Sequence, residues 1–106
     1  MKSPIRRGTI WNLADTDERH PVVVVTRDSL IDVVSNVCVA FVTSDPRKLA
    51  TQVDLDETNG LWSGCAVNLL NLVTVRKTEL IGYRGSLDLV QLQLADHGLR
   101  IALQLD

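Results

Sequence analysis

The sequence has 106 residues, of which 45% are hydrophobic and 23% are charged, and its formal net charge at pH 7 is −2. This length and composition exclude a disordered protein and predict one globular domain, residues 1–106, that needs no disulfide bonds. The charge excludes a uniformly basic nucleic-acid binder, although clusters of arginine and lysine leave room for a local basic surface.

Cysteine usage and hydropathy indicate a cytoplasmic protein. Cys38 and Cys65 lie in apolar segments without CxxC spacing. We interpret them as buried thiols in a reducing compartment and expect no metal site and no other cofactor. There is no run of eighteen apolar residues, and the N-terminal MKSPIRRG leads into charge rather than into the apolar core of a signal peptide. We therefore expect no association with a membrane.

The first half of the chain is predicted to form three β-strands. A strand over residues 8–14 is followed by the charged turn DTDERHP, which a proline closes. Val22–Thr26 is short and almost entirely β-branched, which predicts a second strand covered on both faces. A third strand spans Val33–Thr43, is interrupted near Ser35 and Asn36, and ends at an Asp-Pro turn.

The second half is predicted to contain further strands and one C-terminal helix. Ala50–Leu55 alternates polar and apolar residues, residues 65–75 are mostly apolar, and the segment RKTEL-IGYRGS is expected to be an exposed turn. Ser86 is a plausible N-cap for the helix, and Gly98 is expected to bend it or end it early. The apolar residues at helical spacing, expected to form its core face, are Leu87, Val90, Leu94, Ile101 and Leu105.

Five or six short strands followed by one helix, without βαβ alternation, predict an α+β fold that is mainly β. The expected architecture is a small antiparallel barrel, or a strongly bent sheet, with the helix packed on it.

Several segments, taken in chain order, resemble the MazF/PemK family of toxin endoribonucleases. They are RRGTIW (Arg6–Trp11), HPVVVVTRD (His20–Asp28), VAFVTS (Val39–Ser44), NLVTVRKTEL (Asn71–Leu80) and IGYRGSL (Ile81–Leu87). The family pattern runs from Arg-Gly and Ile-Trp, through Arg-Pro before an aliphatic strand, to a strand ending in Thr-Ser, an Ile-Gly segment and a final helix. The resemblance covers nearly the whole chain.

The resemblance implies a strongly bent Src-homology-3-like barrel of the MazF/PemK/CcdB type, assembled as a homodimer. It also implies metal-independent, sequence-specific cleavage of single-stranded mRNA, which leaves a 2′,3′-cyclic phosphate and a 5′-hydroxyl and arrests translation and growth. A cognate antitoxin protein would hold such a toxin inactive.

The family's catalytic pair is the arginine of Arg-Pro and the hydroxyl residue that closes the later strand. The second residue maps onto Thr43, followed by Ser44, whereas the first maps onto His20 and departs from the pattern. A histidine, with an ordinary pKa of about 6.5, can transfer protons at neutral pH but lacks the permanent charge of arginine. Arg19 could supply that charge only if the loop bulges, because neighbouring residues of a strand point to opposite faces.

Three interpretations of His20 remain open. It is a proton-transfer residue, or a solvated loop residue held extended by Pro21, or the mark of an attenuated or non-enzymatic homologue that still binds RNA, an antitoxin or a gyrase-like target. Thr43 and Ser44 are equally compatible with ordinary roles in a strand and a turn.

Other residues are candidates for RNA binding because of their residue type. Cations beside a groove position the phosphates, and aromatic residues in glycine-flanked turns stack on unpaired bases. Each also has an ordinary explanation as a solvated charge or a structural amide, and Asn68 shares this ambiguity with Asn71. Trp11 is expected in the core and His97 on the surface. The candidates are Arg6, Arg7, Trp62, Asn71, Arg76, Lys77, Tyr83 and Arg84.

Overall fold

A computed structural model describes residues 4–14 and 20–105 as a six-stranded antiparallel sheet with one long C-terminal helix. This confirms the predicted mainly-β, α+β fold. The predicted turn DTDERHP lies largely outside the described residues, and Arg19 with it. The elements are β1 (Thr9–Leu13), β2 (Pro21–Val24), α1 (Asp28–Ile31), β3 (Asn36–Thr43), β4 (Gln52–Leu55), β5 (Cys65–Arg76), β6 (Leu80–Ser86) and α2 (Leu89–Leu103), with single 3-10 turns at Glu57–Asn59 and Lys77–Glu79.

The sheet is open, with strand order β4-β5-β3-β2-β1-β6. The segment after β4 nevertheless packs directly against β6, at the other edge of the sheet. Gly60 has φ +78°, and a Cβ at this position would lie 1.8 Å from the backbone oxygen of Arg84. Only glycine fits this contact, so the two edges approach each other without forming a closed barrel.

Both faces of the central strands are buried, which explains the run of four valines. Val23 belongs to a core that includes Ile10, Val67 and Leu69, while Val22 and Val24 belong to a second core on the opposite face, with Trp11. Alternate side chains of a strand point to opposite faces, so a strand covered on both sides requires apolar residues at successive positions.

Several elements differ from the prediction, and β2 and β4 also have shifted bounds. The short helix α1 was not predicted, and β3 begins at Asn36 because Val33 lies in the turn after α1, where its side chain is 77% exposed. The segment IGYRGS is not a turn but part of the edge strand β6, which pairs with β1.

The N-cap of α2 is Asp88 and not Ser86. The Asp88 carboxylate accepts a hydrogen bond from the Gln91 backbone N–H at 2.7 Å, and the Gln91 side chain accepts one from the Asp88 backbone N–H at 2.9 Å. This reciprocal pair is a capping box, which satisfies two donors at the start of the helix. Ser86 is still part of β6, where it pairs with Thr9.

The expected core face of α2 is also wrong. Leu87 is buried, but Val90, Leu94, Ile101 and Leu105 are 48–63% exposed. The helix instead turns another side toward the sheet, where Ala95 and Gly98 are buried and Leu92 and Leu99 pack against the core. A Cβ on Gly98 would lie 2.5 Å from Leu69 Cδ1 and 2.9 Å from the Ala50 carbonyl oxygen. Gly98 therefore permits close packing and does not end the helix, which continues to Leu103.

No helix within the described ranges is long and apolar enough to span a membrane. The 15 residues of α2 correspond to about 22 Å of helix, at about 1.5 Å per residue.

Candidate active site

A groove of about 560 Å³ opens where β2 begins and β3 ends. It brings together four residues that were predicted from the sequence to belong to the site: His20, Thr43, Ser44 and Asn71. The complete lining consists of His20, Phe41, Val42, Thr43, Ser44, Asn68 and Asn71.

His20 and Thr43 lie at the same end of the β2–β3 pair. The register joins Val22 to Phe41 and Val23 to Ala40, His20 directly precedes β2, and Thr43 is the last residue of β3. Because the two strands are antiparallel, the start of β2 and the end of β3 lie side by side. The two residues that the resemblance assigns to catalysis both line the groove there.

The backbone of His20 is held while its side chain is exposed to solvent. Its carbonyl oxygen accepts a hydrogen bond from the backbone N–H of Leu13 at 3.1 Å. This bond extends the β1–β2 pairing past Pro21, the first residue of β2. His20 thus presents a solvent-exposed imidazole from a backbone that the sheet positions.

The Thr43 hydroxyl accepts a hydrogen bond from the turn that follows β3. Its Oγ1 accepts a hydrogen bond from the backbone N–H of Asp45 at 3.1 Å. A hydroxyl has one proton and two lone pairs, so the Thr43 proton remains able to donate into the groove. Ser44, the next residue, lines the groove and is exposed.

The opposite wall of the groove comes from a distortion of β5. Ala40 pairs with Leu72, but Val42 pairs with Val67, so four residues of β5 stand against one residue of β3. Asn68 and Asn71 belong to these four residues, and both line the groove. Asn68 is held by an Asx-type contact in which its Oδ1 accepts a hydrogen bond from the Leu70 backbone N–H at 3.1 Å.

Three residues of the groove were not assigned to it from the sequence. Phe41 and Val42 were not candidates, and Asn68 was left ambiguous between a structural amide and an RNA contact. A signal for Phe41 was present, because it lies two positions before Thr43 on β3 and must share its face. Asn68 carried no comparable signal, since its placement depends on how β5 pairs with both β3 and β4.

The two N-terminal arginines make contacts within the fold instead of lining the groove. Arg6 forms an ion pair with Asp32 at 3.3 Å. Arg7 forms one with Asp96 of α2 at 2.5 Å, and its guanidinium also donates to the Val25 carbonyl oxygen. These contacts support the ordinary structural explanation of both residues.

Lys77 and Arg84 also bind backbone or side-chain groups of the fold. The Lys77 ammonium donates to the Ile31 carbonyl oxygen at 2.7 Å. The Arg84 guanidinium donates to Asn12 Oδ1 at 3.0 Å and to the Gly60 carbonyl oxygen at 3.2 Å. Neither side chain lines the groove.

The two candidate stacking residues lie apart from the groove lining. Trp62 is 39% exposed in the turn after Gly60. Tyr83 is 58% exposed but lies on β6 rather than in a turn, with its ring edge-to-face against Trp11 at a centroid distance of 5.4 Å. Trp11 is buried in the core, as predicted. Arg76 is exposed at the end of β5 and does not line the groove either.

Both cysteines are free, and desolvation raises the pKa of each thiol. Cys65 is buried, whereas Cys38 is only partly buried. Within residues 4–14 and 20–105, no group of three or more His, Cys, Asp or Glu side chains lies close enough to hold a metal ion.

Comparison with known proteins adds a family match and several similar structures. The model of the "PemK-like, MazF-like toxin of type II toxin-antitoxin system" family matches residues 6–103. A Mycobacterium tuberculosis protein named "Probable endoribonuclease MazF2" is 35% identical over 75 residues, which cover 70% of this chain and 74% of that protein.

Two solved structures are similar over nearly the whole chain. The Mycobacterium tuberculosis toxin MazF-mt6 superposes with a TM-score of 0.82 at 31% identity, covering 94% of this chain and 99% of that one. An endoribonuclease in complex with its cognate antitoxin, from a mycobacterial species, superposes with a TM-score of 0.86 at 24% identity, covering 98% of each chain. The second likeness concerns the fold alone.

Proposed function

Because the chain belongs to the family of PemK-like, MazF-like toxins of type II toxin-antitoxin systems, we propose that the groove beside His20 and Thr43 is its ribonuclease active site. The chain is a toxin endoribonuclease of this family. The observation that carries the assignment of the site is that His20, directly before β2, and Thr43, at the end of the adjacent strand β3, line one groove.

The proposed reaction is an internal transesterification of single-stranded RNA. The 2′-hydroxyl beside the scissile phosphate gives up its proton, its oxygen forms a bond to phosphorus, and the bond from phosphorus to the 5′-oxygen breaks. The leaving 5′-oxygen takes up a proton. The products are a 2′,3′-cyclic phosphate and a 5′-hydroxyl, and the protein has to move protons and stabilise charge on the phosphorane.

We assign proton transfer to His20 and charge stabilisation to Thr43. An exposed imidazole at the rim of the groove can both accept a proton and donate one, which are the two transfers that this reaction needs. The Thr43 proton, left available by the contact of Oγ1 with Asp45, donates a hydrogen bond to a non-bridging phosphate oxygen. Ser44 offers a second hydroxyl at the same rim. This division of roles uses no metal ion.

Thr43→Ala tests the site. The purified protein, freed of antitoxin, is incubated with single-stranded RNA of mixed sequence in the presence of a chelator, and the ends of the fragments are mapped. We expect cleavage that leaves cyclic phosphate and 5′-hydroxyl ends, and a loss of about 100-fold in rate in Thr43→Ala, as for removal of one donor to a developing oxyanion.

The matched control is Thr74→Ala, which removes another threonine from a strand, at an exposed position of β5 outside the groove lining. It should cleave at the wild-type rate. Intact RNA with the wild-type protein, or equal rates for Thr43→Ala and wild type, would contradict the assignment.

The family also leads to proposals about partners and location. A cognate antitoxin inhibits this chain by covering the groove, and cleavage of mRNA in the cytoplasm arrests translation and growth. The chain assembles as a homodimer, for which α2 supplies a suitable surface: Val90, Leu94 and Ile101 are exposed apolar residues on one side of the helix.

A further inference from the structure

Asn68 presents a fixed pattern of hydrogen-bond donors to the groove. Its Oδ1 accepts from the Leu70 backbone N–H, and only the oxygen of a carboxamide can accept such a bond. The orientation of the amide is therefore set, and Nδ2, with two protons, is the end left for a ligand. Because Asn68 lines the groove, a bound molecule meets a donor at this position.

Asn71 and Phe41 line the same groove as Asn68. Asn71 is exposed at the same groove, and its amide can offer a donor and an acceptor side by side. Phe41, the only phenylalanine of the chain, is partly buried and offers a ring for stacking. It lies two residues from Thr43 on the same face of β3, about 6.6 Å along the strand.

We propose that this groove reads one pyrimidine of the RNA, stacked on Phe41 and recognised by Asn68 and Asn71. The inference rests on the proposed endoribonuclease function, because these residues line the same groove as the residues assigned to cleavage. Asn68 donates to the O2 carbonyl, which uracil and cytosine share. Asn71 turns its amide to match N3–H and O4 of uracil, or N3 and the N4 amino group of cytosine.

Purines do not match this pattern. At the position that O2 occupies in a pyrimidine, guanine carries its N2 amino group, a donor that would face the donor of Asn68. Adenine carries only a C–H group there, so the Nδ2 protons would lose their partner. An unmatched polar group at a recognition site costs affinity, and one good pair of contacts discriminates between bases by about 10-fold.

Binding of short RNA tests the proposal without depending on cleavage. The Thr43→Ala protein is titrated with a uridine hexamer in which one nucleotide at a time is replaced by cytidine, adenosine or guanosine. At one position, cytidine should leave Kd unchanged, while adenosine and guanosine should raise it about 10-fold. Equal Kd values for all four bases at every position would overturn the proposal.

The variant Asn68→Asp is expected to reverse the preference for pyrimidines over guanine. The carboxylate still accepts the bond from Leu70, so the local backbone contact is retained, but an acceptor replaces the donor that faced O2. We expect guanosine to become the preferred base at that position. The matched control is Gln52→Glu, which adds the same charge opposite Asn68 on β4, outside the groove lining, and keeps an acceptor for the Arg47 backbone N–H.

Gln52→Glu should weaken binding of all bases equally, whereas Asn68→Asp should change their order. The same order of bases in the two variants would contradict the role of Asn68. Phe41→Leu should weaken binding about 10-fold for every base, through lost stacking, without changing the order. If the wild-type protein does not cleave RNA, the proposed function is wrong. The Kd ratios would still show whether the groove distinguishes pyrimidines from purines.

Discussion

His20 differs from an ordinary loop histidine in how its backbone is held. The Leu13 N–H fixes its carbonyl oxygen, and Pro21 restricts its backbone dihedral angles. These contacts fix where the imidazole is presented, at the rim of the groove that Thr43 also lines. This is the position that the proposed role in proton transfer requires.

His20→Arg distinguishes proton transfer from attenuation. A guanidinium stays protonated and cannot exchange a proton near neutral pH, so we expect the rate of RNA cleavage to fall about 100-fold. A rise in rate would show instead that the natural histidine weakens the site.

Among the elements, α2 shows how one small residue permits close packing of a helix on a sheet. The closeness of Gly98 to the Ala50 carbonyl oxygen and Leu69 brings the backbone of the helix onto the sheet. Leu92 and Leu99 pack against the core beside Ala95, while Val90, Leu94 and Ile101 are turned away from it. Hydrophobic periodicity alone does not choose between the two sides, because large apolar residues lie on both and glycine is given no weight.

Gly98→Ala is therefore expected to destabilise the protein, although alanine is the better helix former by about 1 kcal/mol. The added methyl group would meet a backbone oxygen, and overpacking of this kind costs about 1–3 kcal/mol. We predict that the free energy of unfolding in denaturant falls by about 1 kcal/mol. Gln93→Ala, at an exposed position of the same helix, should change it by less than about 0.5 kcal/mol. Stabilisation by Gly98→Ala would show that the sheet yields to the methyl group.

Over the whole molecule, the exposed side of α2 is the surface that fits the proposed homodimer. Leu94→Glu places a charge among Val90, Ile101 and their copies in a partner, so we expect the sedimentation coefficient to change from that of a dimer to that of a monomer. Leu30→Glu, at a leucine of similar exposure on α1 (49% against 50%), should leave the dimer intact. Equal behaviour of the two variants would place the interface elsewhere.

Much of the fold follows from local sequence, and much of the site does not. The β-branched run of β2 and the alternation in β4 predict strands, since such patterns suit a pleated surface. The ion pair of Arg7 with Asp96 joins residues 89 positions apart. No local sequence pattern indicates that the Arg7 guanidinium binds within the fold and not to RNA. The groove wall likewise depends on the simultaneous pairing of β5 with β3 and β4.

The distortion of β5 frees the groove-lining asparagines from pairing with β3. Register is kept on both sides of the distortion, by Val67 against Val42 and by Leu72 against Ala40, while the four residues between them are released from the pairing with β3. Asn68 and Asn71 belong to these four residues, and neither is part of the hydrophobic core. The residues proposed to read the base can therefore change without a change in the pairing that positions Thr43.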